Sequence, residues 1–246
     1  MQSLAQTHEA FFVSRLAQDW IESLTGEPFF VRVDPWGPHP PYITAQPFDG
    51  MIPEHDVVLP EIFNLDLSHR PQHHRDYRDG WHRALGLDES SWRLMARRAL
   101  EQTALVEVAL AGVLDTLDRL GLAENTLVIF TTDNGPWLPF KSHGGSAGPL
   151  AGGKGTNLEG GQRVPFIARY PARIPAGTVS RQVATTMDLL PTIAGLAGVG
   201  LDSDRPIDGH DIMPLLEDSA GAVSPTEVFL YYTSQGELAG IRRGRW

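Results

Sequence analysis

A chain of 246 residues can bury one sizeable core, or form a large domain with a smaller appendage. Its 41% hydrophobic and 20% charged content is that of an ordinary globular protein, and no apolar run is long enough to span a bilayer. The formal net charge of -10 speaks against the basic face that non-specific nucleic-acid binding needs, and zero cysteines exclude disulfides, thiolate metal sites and cysteine nucleophiles.

In chain order, residues 8 to 24 place Phe11, Phe12, Leu16, Trp20, Ile21 and Leu24 at helical spacing, and Gly26 stops the pattern. PFFVRV (28–33) is a short β-rich run, expected to be a buried strand. Residues 34 to 90 are rich in Pro, His, Asp and Arg without periodicity, as in an insertion or a functional loop. Residues 91 to 120 carry a long helical pattern, with Gly121 suited to the C′ position. TLVIFTT (126–132) is a continuous β-branched run of the kind found in a parallel strand buried on both faces. A helix followed by such a strand is an α/β signature. A glycine-rich loop leads to a second strand at 164–171, and 184–197 reads as a helix with Pro191 in its first turn or at a kink. A short helix around Met213 to Leu216 and a strand at 228–233 complete the pattern.

Asp133 and Asn134 follow the 126–132 run directly. In an open α/β sheet ligands bind at the carboxyl ends of strands, and a carboxylate with an amide carbonyl is a hard oxygen pair suited to Ca²⁺ or Mg²⁺. Asp-Asn-Gly is also a common turn sequence, and on the dipeptide alone the turn is the commoner meaning. Lys154, in GGKGT, is flanked by glycines that let an oxyanion approach; the alternative is an exposed loop lysine. His39, in DPWGPHPPY, is held between prolines after the 28–33 run, either as an acid, base or hydrogen-bond donor or as one of nine histidines in the chain. His143, in KSHGG, is a candidate for a pocket wall. His69, His73 and His74 match no standard zinc spacing and read as surface or rim residues.

Three separated segments now agree. PFFVRVDPWGPHPPY, GLAENTLVIFTTDNGPW and GPLAGGKGTNLEGGQRVPFIARYPARIPAGT stand in the order and spacing of the sulfatase family of the alkaline phosphatase superfamily. ATTMDLLPTIAGLAG and IDGHDIMPLL extend the resemblance over nearly the whole chain. It implies an α/β fold with a mixed, mainly parallel sheet flanked by helices, and a smaller C-terminal α+β subdomain. Residues 1–200 would then be part of the catalytic domain and 201–246 the start of the subdomain. The resemblance puts calcium ligation on Asp133 and Asn134. It puts a sulfate contact on Lys154 and a contact to the sulfate or the leaving-group oxygen on His39.

The implied activity is calcium-dependent hydrolysis of a small-molecule or glycan sulfate ester. The family nucleophile is a hydrated formylglycine made from a C/S-x-P-x-R motif, and this chain has neither a cysteine nor such a serine. The expectation is a fragment lacking the N-terminal nucleophile segment and a further pair of calcium-binding aspartates, and inactive by itself. The alternatives are a phosphoester or phosphonate hydrolase of the same superfamily, which Asn134 in place of a histidine argues against, and a non-catalytic binding protein.

Overall fold

The computed structural model describes residues 5–24, 26–59, 66–70, 72, 75–76, 79–80, 86–138, 144–201 and 204–244. They form two compact units, Met1–Leu122 with Pro136–Ser146, and Ala123–Gly135 with Ala147–Trp246.

The first unit is built on two helices. Helix α1 runs Glu9–Ser23 and buries Ala10, Ser14, Ala17 and Ile21, one stripe at helical spacing. His8 caps it: Nδ1 accepts from the Ala10 N–H at 3.2 Å while Nε2 donates to Ile43 O at 2.9 Å. Both bonds require the tautomer with the proton on Nε2. Helix α2, Glu89–Arg119, packs against α1. Asp88 caps α2, accepting from the Ser91 N–H at 2.8 Å and from the Ser90 and Ser91 hydroxyls. Those bonds hold its carboxyl down at about 2. At the other end Gly121 takes φ 68°, with Gly121 N–H donating to Asp118 O and Leu122 N–H to Leu117 O. This is the Schellman closure that a glycine at C′ permits.

The core of this unit is Ala5, Ala10, Ala45, Phe48, Leu105, Val106 and Ala109. The small residues on α1 and α2 let the helices approach closely. The fully buried Glu101 accepts from the Gly50 N–H at 2.9 Å and lies 3.5 Å from Arg97, tying the 42–52 segment to α2. Residues 28–33 differ from expectation. They find no ladder partner among the described residues and form no regular element; Phe30 is 64% exposed, and Phe29 packs edge-on against Trp20 instead. A strand needs hydrogen-bonded neighbours, and apolar character alone does not supply them.

In the second unit β1, Val128–Thr131, pairs antiparallel with β2, Phe166–Arg169, Val128 facing Arg169 and Thr131 facing Phe166. The run read as a parallel strand buried on both faces is therefore an antiparallel strand here; β2 is its one partner among the described residues, and Phe130 is 52% exposed. Helix α3, Glu159–Gln162, is a single turn. A 3₁₀ turn at Thr186–Asp188 runs into α4, Leu189–Leu196, with Pro191 in its first turn as expected. Asp188, fully buried, accepts from the Thr185 N–H at 2.6 Å and the His210 N–H at 2.9 Å, fastening 185–188 to the segment before α5, Met213–Leu216. Gly209 permits this approach, since a Cβ there would stand 1.9 Å from Met187 O. The unit ends in the hairpin of β3, Val228–Tyr232, and β4, Leu238–Arg243, with a bulge at Tyr231/Tyr232. No described helix is long and apolar enough to cross a membrane.

Candidate functional site

Asp133 and Asn134 follow β1 after a single residue, Thr132, with Asp133 exposed and Asn134 half-buried. What fixes them is the next residue. Gly135 donates its N–H to Gly161 O at 3.0 Å, and a Cβ at Gly135 would lie 1.8 Å from Gly160 O. Only glycine allows two backbones so close. The Thr131 hydroxyl donates to Pro165 O at 3.0 Å, and the Thr132 hydroxyl to Asn134 O at 3.2 Å, so the strand exit is bonded on both sides of the pair.

The lysine loop rests on the same two glycines. Gly160 N–H donates to Ala151 O at 2.7 Å; a Cβ on Gly160 would stand 2.2 Å from Gly152 O, and one on Gly161 2.4 Å from Gly153 O. Residues 153 to 156 form a turn in which Thr156 N–H and its hydroxyl both donate to Gly153 O, at 3.0 and 2.8 Å. Gly155, at φ 81°, takes the left-handed third position of a type II turn. Lys154 is the exposed second residue of that turn. Gly160 and Gly161 thus form a floor that holds the Asp133–Asn134 exit and the Lys154 turn together. One exposed ammonium and one carboxylate–amide pair, Asp133 exposed and Asn134 half-buried, are carried on close backbone contacts between glycines.

The donor set can be judged chemically. The Asn134 amide nitrogen donates to Asp133 Oδ2, which leaves a carboxylate and an amide oxygen as hard donors of the type Ca²⁺ and Mg²⁺ take. The pair fits as part of such a shell. Two residues are fewer than calcium's usual six to eight oxygens. Among the described residues no cluster of three or more His, Asp or Glu stands ready to complete it.

His39 belongs to the first unit and is held there by a turn. Its N–H donates to Trp36 O at 3.1 Å, and Nδ1 lies 2.6 Å from Pro40 O. A carbonyl only accepts, so Nδ1 carries the proton and the neutral ring presents its lone pair at Nε2. The Trp36 indole stands edge-on to the imidazole at 4.9 Å between centroids. Both Glu9 carboxylate oxygens accept from the Trp36 N–H, at 3.1 and 3.0 Å, and the buried Gly37 faces Val106, where a Cβ would come to 2.8 Å. The turn is therefore pinned to both α1 and α2. Nearby, burial pushes the Tyr42 phenol up.

Of the sequence candidates, the structure brings Asp133, Asn134 and Lys154 together in one unit. His39 is fixed separately in the other. His143, like His73 and His74, lies outside the described residues, and His69 is exposed. The elements missed in the sequence are Gly135 and the Gly160–Gly161 doublet. Their signal was the glycine immediately after Asp-Asn and the paired glycine eight residues past the first GG.

An α/β fold carrying an acid–amide pair at a strand exit beside a glycine-held lysine has clear relatives. The Sulfatase family model matches residues 12–199, and the chain belongs to the sulfatase family, within the alkaline phosphatase superfamily. Human steryl-sulfatase is 49% identical over 135 residues, 53% of this chain and 23% of that protein. Human arylsulfatase A is 41% identical over 136 residues, 55% of this chain and 26% of that protein. The aligned part thus spans about a quarter of these relatives' length. Among solved structures, PsFucS1 sulfatase from Pseudoalteromonas sp. matches at 34% identity and a TM-score of 0.51 over 59% of this chain and 29% of that one. A phosphonate monoester hydrolase from Silicibacter pomeroyi shares the fold at a TM-score of 0.68 and 18% identity, over 94% of this chain and 45% of that one.

Proposed function

We propose that this chain carries the part of a sulfatase site that grips the sulfate group. The observation supporting this most is that the Asp133–Asn134 exit and the Lys154 turn stand on one Gly160–Gly161 floor, within a chain of the sulfatase family. Asp133 and Asn134 are proposed as two oxygen ligands of calcium, with magnesium as the alternative cation. Calcium, when bound, supplies positive charge against the sulfate oxygens. Lys154 donates its ammonium protons to a sulfate oxygen, and its flanking glycines keep the approach open. His39 holds a proton at Nδ1 against Pro40 O, and once its Nε2 is protonated it can donate to the leaving oxygen. His143 is proposed as a further substrate-contacting residue. The substrate class is a sulfated small molecule or glycan; BT4656, solved with its substrate D-glucosamine-2-N,6-O-disulfate, shares the fold at a TM-score of 0.69 and 20% identity.

The attacking group is a separate matter. With no cysteine and no serine in S-x-P-x-R, these 246 residues offer no side chain from which the family's formylglycine is made. The purified chain with added calcium is therefore expected not to turn over an aryl sulfate, an aryl phosphate or a phosphonate monoester. Joined to a formylglycine-bearing segment of a sulfatase, it should favour the aryl sulfate, and Asp133→Ala should abolish that turnover. Turnover of aryl sulfate by the chain alone would overturn the division of labour, and a preference for phosphate or phosphonate in the joined protein would overturn the substrate assignment.

A further inference from the structure

The glycine floor is itself anchored by a charge. Glu159, immediately before Gly160, receives Arg242 Nη1 at 3.2 and 3.3 Å on its two oxygens, the Tyr231 hydroxyl at 3.1 Å and Arg163 Nη1 at 3.2 Å. Arg163 lies on Glu159's own turn, whereas Tyr231 and Arg242 come from β3 and β4, more than 70 residues away. The hairpin register puts Arg242 opposite Phe229, and Phe229 stacks edge-on with Tyr231 at 4.9 Å, so these three side chains share one face. Glu159 is only partly exposed, as are Arg242 and Tyr231. Its remaining route into the site is covalent: the next two residues carry Gly135 N–H on Gly161 O and accept no side chain.

We propose that Glu159 is a positioning residue. Through Arg242 and Tyr231 it clamps the Gly160–Gly161 floor to the β3–β4 hairpin and so sets the spacing between the Asp133–Asn134 pair and Lys154. A carboxylate suits this role because its two oxygens accept a shared N–H donor from Arg242 Nη1 and the phenol at once. Its meaning for catalysis rests on the sulfatase reading above, but the clamp is a property of this chain alone. One consequence is spectroscopic. Burial first, then the hydrogen bond and charge of Glu159, push the Tyr231 phenol up, with Arg242 opposing.

Amide hydrogen exchange on the 246-residue chain, without substrate or calcium, tests the clamp independently of any activity. In Glu159→Gln the amides of Gly135, Thr156 and Gly160 should exchange about tenfold faster, while those of α2 stay unchanged. The Tyr231 phenol should titrate closer to an ordinary tyrosine. Arg242→Met should reproduce the exchange effect, the double variant should add little to either single one, and Arg242→Lys, which keeps a charged donor but loses the Nε bond to Gly244 O, should recover part of the protection. Unchanged exchange at the three amides in Glu159→Gln would overturn the proposal. So would an equal rise across the β1–β2 ladder and the hairpin, because that is general loosening rather than a clamp.

Discussion

The two units hold their candidate side chains by opposite means. In the first, His39 sits on a turn tied to Glu9 of α1 and pressed against Val106 of α2, whose interior is a packed apolar core. In the second, Asp133, Asn134 and Lys154 rest on backbone meeting backbone, glycine against glycine carbonyl, and the residue before the doublet is anchored by an ion pair. Side-chain packing tolerates modest changes of shape, because neighbours can repack. A carbonyl 1.8 Å from where a Cβ would stand has no such freedom. The second arrangement leaves Asp133 and Lys154 exposed, at the cost of strain from any side chain added to the glycines beneath.

The largest effect that would break this contrast is expected in the first unit. Leu105 is fully buried in the α1–α2 core, and Leu105→Ala should cost about 2–5 kcal/mol in urea unfolding, with exchange at Gly135 and Thr156 little changed below the transition. A smaller global loss, about 1–3 kcal/mol, is expected from Gly160→Ala, where the added methyl meets two carbonyls. Its exchange signature should concentrate at Gly135, Thr156 and Gly160. If Gly160→Ala leaves those amides protected, the glycine floor is not what holds the site. The smallest effect is at the α2 cap. Asp88 is held at about 2 against an ordinary 3.8, so its contribution is present above pH 3.8 and is lost as pH falls through about 2. The difference in melting temperature between wild type and Asp88→Ala should accordingly narrow across that interval.

Much of this was legible in the sequence, for local reasons. The 8–24 and 91–120 patterns become α1 and α2 because the apolar stripe and the ends, Asp88 and Gly121, are decided within a few residues of themselves. The position of Asp133 and Asn134 at a strand exit follows from the β-branched run before them. Pairing was not legible. The direction of β1 against β2 depends on a partner 38 residues on, and 28–33, as apolar as any strand, finds none among the described residues. Strand β4 hides its character behind Gly240, Arg242 and Arg243 and is a strand because β3 lies beside it. The glycine floor escaped for a related reason: GGKG reads as a flexible loop until Gly135 and Gly160 are known to touch.

Asp133 and Asn134, steadied by that floor, are proposed as a partial hard-cation site beside an anion-binding lysine. Its most direct measurement is a calcium titration of the ¹⁵N-labelled chain followed by NMR. Saturable shifts of the Asn134 side-chain amide and the Gly135 N–H are expected, with a weak dissociation constant of about 1 mM, abolished in Asp133→Ala while the fold persists. Absence of any shift at these two groups, or shifts that survive Asp133→Ala, would contradict it.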